Sequence, residues 1–118
     1  MSVSPLIGKS KTFALETIKV CNEVKASKRE SVLTNQLIRS GTSIGANIRE
    51  AFYAHSRADF IAKLHIALKE CAESEYWLEL LQETGTVQKE KGETLKQDCV
   101  EIKRILIATL KSSKSNAQ

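Results

Sequence analysis

Residues 36–51 read QLIRSGTSIGANIREA, and no other stretch of this chain says more about its fold. The apolar residues recur every three or four positions, which is the spacing of one face of an α-helix. The remaining positions are rich in glycine, serine, threonine and asparagine, which do not favour helix interiors. The presence of these small residues in the helix is therefore best explained by packing against neighbouring helices. Gly41 and Gly45, four positions apart, would let another backbone approach closely.

The same helical spacing continues along the whole chain. It predicts four helices, over residues 6–26, 30–55, 57–83 and 89–112, in a single domain of 118 residues. Ser56 is expected to cap the third helix, with Asp59 reaching back, and Gly85 to end it. Short connections between amphipathic helices indicate an all-α, antiparallel up-down-up-down four-helix bundle. The tail, residues 113–118, is expected to be disordered.

Composition narrows the class of protein. Three cysteines without a CxxC pair, Cys21, Cys71 and Cys99, fall on apolar stripes, which is typical of a reduced cytoplasmic protein. No stretch has the length of a signal peptide or membrane span, so no membrane partner is expected. The formal net charge of +4 permits a polyanionic partner without requiring one.

Catalytic patterns are missing from the sequence. His55 and His65 lie on different predicted helices, without a carboxylate at the spacing of metal ligands. The chain has no Glu-x-x-His pair, no glycine-rich phosphate loop and no nucleophile elbow. We therefore expect no enzymatic activity, no cofactor and no metal.

Glu75 falls in the middle of the apolar arc predicted for the third helix, between Cys71 and Leu78. A charged carboxylate there needs partners, because burying it unpaired is costly. Polar residues beside the apolar arc of the second helix could supply hydrogen bonds. The expected structural network comprises Arg39, Ser40, Ser43, Asn47, Glu50 and Glu75. The alternatives are a catalytic or ligand-binding carboxylate, and a bundle that opens there toward solvent or another subunit.

Lysine and arginine concentrate on the first and last predicted helices, which are neighbours in an antiparallel bundle. A common basic surface is expected there, beside an acid-rich edge on the third helix. The surface is either a solvated charged face or a phosphate-contacting one. The candidate phosphate contacts are Lys19, Lys25, Lys28, Arg29, Lys96, Lys103, Arg104 and Lys111. Because this face has few aromatic residues, binding would follow the nucleic-acid backbone and weaken with salt.

Several apolar side chains are expected on the outer faces of the helices, namely Val20, Tyr53, Tyr76, Trp77, Leu80 and Ile107. Two interpretations remain open for the aromatic ones. They pack at the edges of the core, or they form a subunit interface, where aromatic residues are enriched. Several outward apolar residues on so small a chain favour self-association.

A longer pattern in the second and third helices resembles a known family. It comprises Gln36-Leu37-x-Arg39-Ser40-x-x-Ser43-Ile44-x-Ala46-Asn47-Ile48-x-Glu50-Ala51, then Phe60, Ile66-Ala67-Leu68 and Glu73-x-Glu75-x-x-Leu78. The chain is similar in these residues to the bacterial four-helix-bundle family, also called the 23S ribosomal RNA intervening-sequence protein family. That family is similar to the ring-forming accessory proteins of diversity-generating retroelements.

The resemblance implies a homopentamer that binds RNA or DNA, with a partner protein such as a reverse transcriptase. Five copies would carry roughly +20 on one particle, which favours binding of a polyanion. A different class of function stays open, a protein-binding scaffold or adaptor with no nucleic-acid role. The family pattern itself is best explained by packing and assembly, so no binding role is expected for Arg39, Asn47 or Glu75.

Overall fold

The computed structural model describes residues 4–115, which form four helices joined by short turns. They are α1 (Ser4–Lys28), α2 (Val32–Phe52), α3 (Arg57–Glu83) and α4 (Lys89–Ser115). Each helix packs on the next along the chain, and α1 also packs on α4, so the four helices close into a rod of 51 × 21 × 19 Å. Since residues 4–115 contain no strand, the predicted all-α four-helix bundle is confirmed. No part of these four helices combines the length and apolar character needed to cross a bilayer.

Ion pairs between the first and last helices show that these helices run antiparallel. Lys9 Nζ lies 3.3 Å from Glu101 Oε2, and Lys91 Nζ lies 3.0 Å from Glu23 Oε1. Moving forward along α1 therefore corresponds to moving backward along α4. The helices alternate in direction, as the short turns between amphipathic helices predict.

The core is one continuous apolar cluster that receives side chains from all four helices. Its largest fully buried side chains include Phe13 of α1, Ile44 of α2, Leu78 of α3 and Leu106 of α4. Val20, expected on an outer face, is buried here because α1 turns Phe13 and Val20 inward together, two turns apart. The expectation for Val20 was wrong.

The small residues of α2 allow the close approach that their spacing predicts. A methyl group on Gly41 would lie 3.3 Å from Thr17 Cγ2 and 3.4 Å from Phe13 Cε2, both on α1. At Gly45 the same methyl group would lie 3.2 Å from the Ser10 hydroxyl oxygen. Larger side chains at these two positions would push α1 away from α2.

The start of α2 differs from the predicted start at residue 30. Glu30 lies outside the helix and caps it, because its carboxylate accepts hydrogen bonds from the amides of Leu33 at 2.7 Å and Thr34 at 2.9 Å. Ser31 occupies the capping position without forming a side-chain cap bond. Burial acts to raise the pKa of Glu30, but these hydrogen bonds outweigh it and hold the pKa below its usual value.

The other helix ends agree in part with prediction. The Ser56 hydroxyl accepts a hydrogen bond from the Asp59 amide at 3.1 Å, so the cap of α3 is confirmed. The return bond expected from the Asp59 carboxylate is not formed in the part of the chain that is described. Gly85 has φ +71°, in the left-handed region, directly after the Thr84 cap, as predicted.

Four further helix boundaries differ from prediction by two or three residues. Helix α2 ends at Phe52 rather than at residue 55, and α1 extends beyond residues 6–26 at both ends. Helix α4 continues through Ser115, so residues 113–115 of the expected disordered tail are helical. Arg57 donates a hydrogen bond to the carbonyl oxygen of Ser113 at 3.3 Å, which holds this last turn against the start of α3. The remaining residues, 116–118, lie outside the described part.

All three cysteines are buried and free, as their apolar positions predict. Burial raises the pKa of Cys21 to about 11, despite the nearby Lys25. A hydrogen bond with the Cys71 thiol, together with burial, raises the pKa of Cys99 further. The Cys99 thiol also donates to the carbonyl oxygen of Cys71 at 3.4 Å. These thiols serve as small apolar side chains rather than nucleophiles.

Glu30→Gln should lower the free energy of unfolding by about 1 kcal/mol, because it weakens the acceptor that caps α2. The pKa of Glu30 is lowered by folding, so its contribution is complete above the unfolded pKa of about 4.3. That contribution is lost as the pH falls through the folded pKa. Urea unfolding at a series of pH values should show the two proteins converging in acid. Glu79→Gln, at an exposed position on α3, serves as the control, and equal effects of both substitutions at pH 7 would contradict the cap.

Candidate nucleic-acid interface

The eight candidate cations do not lie on one surface. Lys25, Lys28 and Arg29 gather at one end of the bundle, where α1 turns into α2. Lys19 lies in a groove between α1 and α4. The remaining four are spread along the exposed side of α4. Of the eight, seven form no ion pair within residues 4–115, and the exception is Lys103.

Acidic residues divide the expected common surface of α1 and α4. The groove between these helices, here called the α1–α4 groove, has a volume of about 290 Å³. Its charged lining comprises Glu16, Lys19, Glu23, Glu90, Lys91 and Asp98. Four carboxylates against two lysines make this seam acidic. The expectation of a continuous basic surface across α1 and α4 was therefore wrong, because the side of α4 that faces α1 carries acids.

The basic side of α4 faces away from α1. Lys103 lies at the edge that meets α3, where its Nζ is 2.8 Å from Glu75 Oε2. Lys96 is seven positions earlier and so lies on the same edge, while Arg104 and Lys111 extend the charge onto the outer face. Because Lys103 is already paired and only about a third exposed, it is a poor phosphate contact.

The network expected around Glu75 is not formed. Buried positions in α3 recur as Ala67, Cys71, Ser74 and Leu78, so Ser74 occupies the core position that had been expected for Glu75. Glu75 instead faces α4 and pairs with Lys103. The prediction was wrong because it placed the middle of the apolar arc at Glu75. The true middle is at Ser74, one residue away, which is a rotation of 100° about the helix axis.

The polar residues of α2 find separate partners. The Ser40 hydroxyl oxygen lies 2.8 Å from that of Ser74, and both residues are fully buried. Arg39 bridges to Glu70 and Glu73 of α3. Asn47 Nδ2 donates to the Ser43 carbonyl and hydroxyl oxygens at 2.9 and 3.0 Å. Glu50 pairs with Lys63 at 2.9 Å. The contacts of Ser40, Arg39 and Glu50 hold α2 on α3, whereas Asn47 bonds within α2.

Four cations at one end of the bundle lie close together without an ion pair in residues 4–115. The bundle-end cluster, as it is named here, comprises Lys25, Lys28, Arg29 and Lys89. Lys28 lines a cleft with residues 85–88 of the turn between α3 and α4, and Lys89 begins α4 directly after that turn. Arg29 adopts φ 56°, which turns the chain sharply between α1 and α2. Glu30 caps α2 and forms no ion pair with these cations within residues 4–115.

The prediction from sequence did not include Lys89 or the acidic residues of the α1–α4 groove. Lys89 joins the bundle-end cluster only through the fold, since sixty residues separate it from Arg29. Glu16 and Asp98 meet for the same reason. The regular three-and-four spacing of buried residues in α3 could have identified Ser74.

The outward apolar residues agree with prediction in part. Tyr53 is 84% exposed and Tyr76 52% exposed, and Ile107 also reaches solvent. Trp77 packs against the core instead, and Leu80 is half-buried. Leu15 and Val32, which were not expected outside, are exposed as well.

Residues 4–115 contain no cluster of three or more histidine, cysteine, aspartate or glutamate side chains that could hold a metal ion. His55 lies in the turn before α3, and His65 lies within α3.

Residues 5–108 match the family described as 23S rRNA-intervening sequence protein. The chain is also similar to a protein of unknown function from the S23 ribosomal protein family of Bacteroides thetaiotaomicron, known from a crystal structure. The two share 47% sequence identity with a TM-score of 0.92, over 94% of this chain and 99% of the other. No curated protein shows a significant match.

Ser40→Ala should lower the free energy of unfolding by about 1 to 2 kcal/mol, because it leaves the buried Ser74 hydroxyl without its partner. The double variant S40A/S74A should lose less than the sum of the two single losses, since neither hydroxyl is then orphaned. Urea unfolding of the four proteins measures this coupling. Ser112→Ala, on an exposed residue, should change stability by less than about 0.5 kcal/mol. Additive single losses would show that the two hydroxyls do not interact.

Proposed function

Because the chain belongs to the 23S rRNA-intervening sequence protein family, we propose that it is a non-enzymatic homo-oligomer that binds the backbone of RNA or DNA. The bundle-end cluster makes the phosphate contacts. The observation that carries this proposal is that Lys25, Lys28 and Arg29 are free of ion pairs within the described residues and lie at one end of the rod. Free cations in an exposed turn are available to phosphate groups.

The chemistry of the bundle-end cluster favours recognition of backbone over bases. Its members are lysines and an arginine, which neutralise phosphates and release counterions. Binding of this kind carries little sequence preference and depends steeply on salt. The acidic α1–α4 groove repels the same polyanion, so it confines the contact to the end of the rod.

Self-association supports the same function by multiplying a modest charge. One chain carries a formal net charge of +4, and a five-membered ring would carry about +20. The similarity to ring-forming accessory proteins supports five subunits. Exposed apolar side chains such as Leu15, Tyr76 and Ile107 supply surface for an interface. The buried, free cysteines are those of a protein in a reducing compartment, which supports a cytoplasmic location.

The triple variant K25Q/K28Q/R29Q should weaken binding to structured RNA and to duplex DNA. For native protein, the logarithm of the association constant should fall linearly with the logarithm of salt concentration, by about 0.9 per phosphate contact on duplex DNA. Losing three contacts should reduce this slope by roughly 3. Fluorescence anisotropy at several salt concentrations measures both quantities.

The matched control is K11Q/R49Q/K69Q, which removes three cations elsewhere that form no ion pair in residues 4–115. It should retain most of the affinity. Equal losses in both triple variants would show that net charge, and not the bundle-end cluster, binds. If native protein fails to bind even at low salt, the protein-binding scaffold becomes the better function, with a partner such as a reverse transcriptase to be sought.

A further inference from the structure

Charge is unevenly distributed along the rod. The end opposite the bundle-end cluster is formed by the start of α1, the end of α2, the start of α3 and the end of α4, here residues 4–11, 49–69 and 101–115. These segments hold ten of the 18 lysines and arginines of the chain but only three of its 14 carboxylates. The remaining residues hold eight cations against eleven carboxylates. The formal net charge of +4 therefore comes from this opposite end.

The three carboxylates of the opposite end lie beside lysines. Glu50 pairs with Lys63 at 2.9 Å, and Glu101 pairs with Lys9 at 3.3 Å. Asp59 also lies near Lys63, since Glu50 and, to a smaller extent, Asp59 raise the pKa of that lysine. The other cations of this end are therefore left without a carboxylate partner within residues 4–115.

Four of these cations gather where α4 ends against the start of α3. The opposite-end cluster, as it is named here, comprises Arg57, Arg104, Lys111 and Lys114. Arg57 Nη1 donates to the carbonyl oxygen of Ser113 at 3.3 Å, which places this arginine beside the last turns of α4. Lys111 and Lys114 are neighbours on the helix surface, and Arg104 lies two turns before Lys111 on the same stripe. All four side chains are exposed, and none forms an ion pair in the described part of the chain.

The acidic residues nearest along α4 do not neutralise this cluster. Residues 102–115 contain no aspartate or glutamate. Glu101 pairs with Lys9 of α1, and Glu93 lies eleven positions before Arg104, about 16 Å away along the helix axis. Lys114 also complements the dipole at the end of α4, but that role needs only one cation.

The two cationic clusters lie far apart. Lys89 of the bundle-end cluster and Lys111 of the opposite-end cluster are 22 positions apart on α4, about 33 Å along its axis. The stretch of α4 between them carries four carboxylates, Glu90, Glu93, Asp98 and Glu101. A polyanion is therefore attracted at each end of the rod and repelled between them.

We propose that the opposite-end cluster is a second phosphate-binding site, so that one chain holds two separate stretches of nucleic acid, one at each end of the rod. Lysines and arginines at the end of the rod contact backbone phosphates and release counterions, as at the first site. The choice of ligand rests on the proposed function. The position of the site does not, because the two clusters share no residue.

The test uses a DNA hairpin too short to reach both clusters. A stem of six base pairs is about 20 Å long, less than the separation of the clusters. Isothermal titration at low salt counts the hairpins bound per chain, which makes the count independent of self-association. The variant is R104Q/K111Q/K114Q, which leaves the hydrogen bond of Arg57 intact, and the matched control is again K11Q/R49Q/K69Q. Circular dichroism verifies that each variant is folded.

The native protein and the control should bind two hairpins per chain. R104Q/K111Q/K114Q and K25Q/K28Q/R29Q should each bind one, and the combination of both triple variants should bind none. Lysine acetylation followed by mass spectrometry gives the position of binding on the native protein. The hairpin should slow acetylation of Lys111 and Lys114 severalfold, and should do so equally in K25Q/K28Q/R29Q.

Unchanged acetylation of Lys111 and Lys114 on addition of the hairpin would overturn the proposal, and this measurement does not depend on any variant of the opposite-end cluster folding. A native count of one hairpin that is lost only in K25Q/K28Q/R29Q would overturn it as well, and would leave the proposed function intact. A single hairpin that is lost only in R104Q/K111Q/K114Q would instead contradict the placement of binding at the bundle-end cluster. Absence of binding by native protein would overturn both.

Discussion

Two consecutive residues of α2 fix that helix to both of its neighbours. Gly41 lies against Thr17 and Phe13 of α1, at a distance that leaves little space for a side chain. Ser40, one position earlier, meets the Ser74 hydroxyl of α3 at 2.8 Å inside the core. A shift of α2 by one residue would bury the wrong side chain against each neighbour. The register of three of the four helices therefore depends on this pair of positions, and the fourth helix closes the rod.

Ion pairs join some neighbouring helices of the bundle and not others. Within residues 4–115, pairs cross the α2–α3, α3–α4 and α1–α4 seams, whereas the α1–α2 seam has none. At that seam Gly41 and Gly45 let α1 and α2 approach closely. Close packing thus replaces charge where there is no space for long side chains. The surface pairs elsewhere add little stability each, but they set which lysines stay free for other partners.

Much of the fold follows from sequence, because helical periodicity is a local property. The four helices, the Ser56 cap and the Gly85 turn depend on residues within a few positions of one another. The start of α2 was missed because Glu30 caps through a carboxylate one position before the usual capping residue. Glu75 was misplaced because an error of one residue rotates a side chain from the core to the edge of a helix. The surfaces were harder to foresee, since Asp98 and Glu16, or Lys89 and Arg29, meet only when α1 and α4 are neighbours in space.

The three buried thiols give the molecule built-in reporters of its own motions. Cys21 lies on α1, Cys71 on α3 and Cys99 on α4, and none is accessible in the closed bundle. A thiol reagent can therefore reach each one only when the helix around it opens. Cys71 and Cys99 face each other across one seam and should become reactive together, whereas Cys21 reports on α1. Comparing the rates would reveal whether α1 detaches by itself or the rod opens as one unit, without any label being introduced.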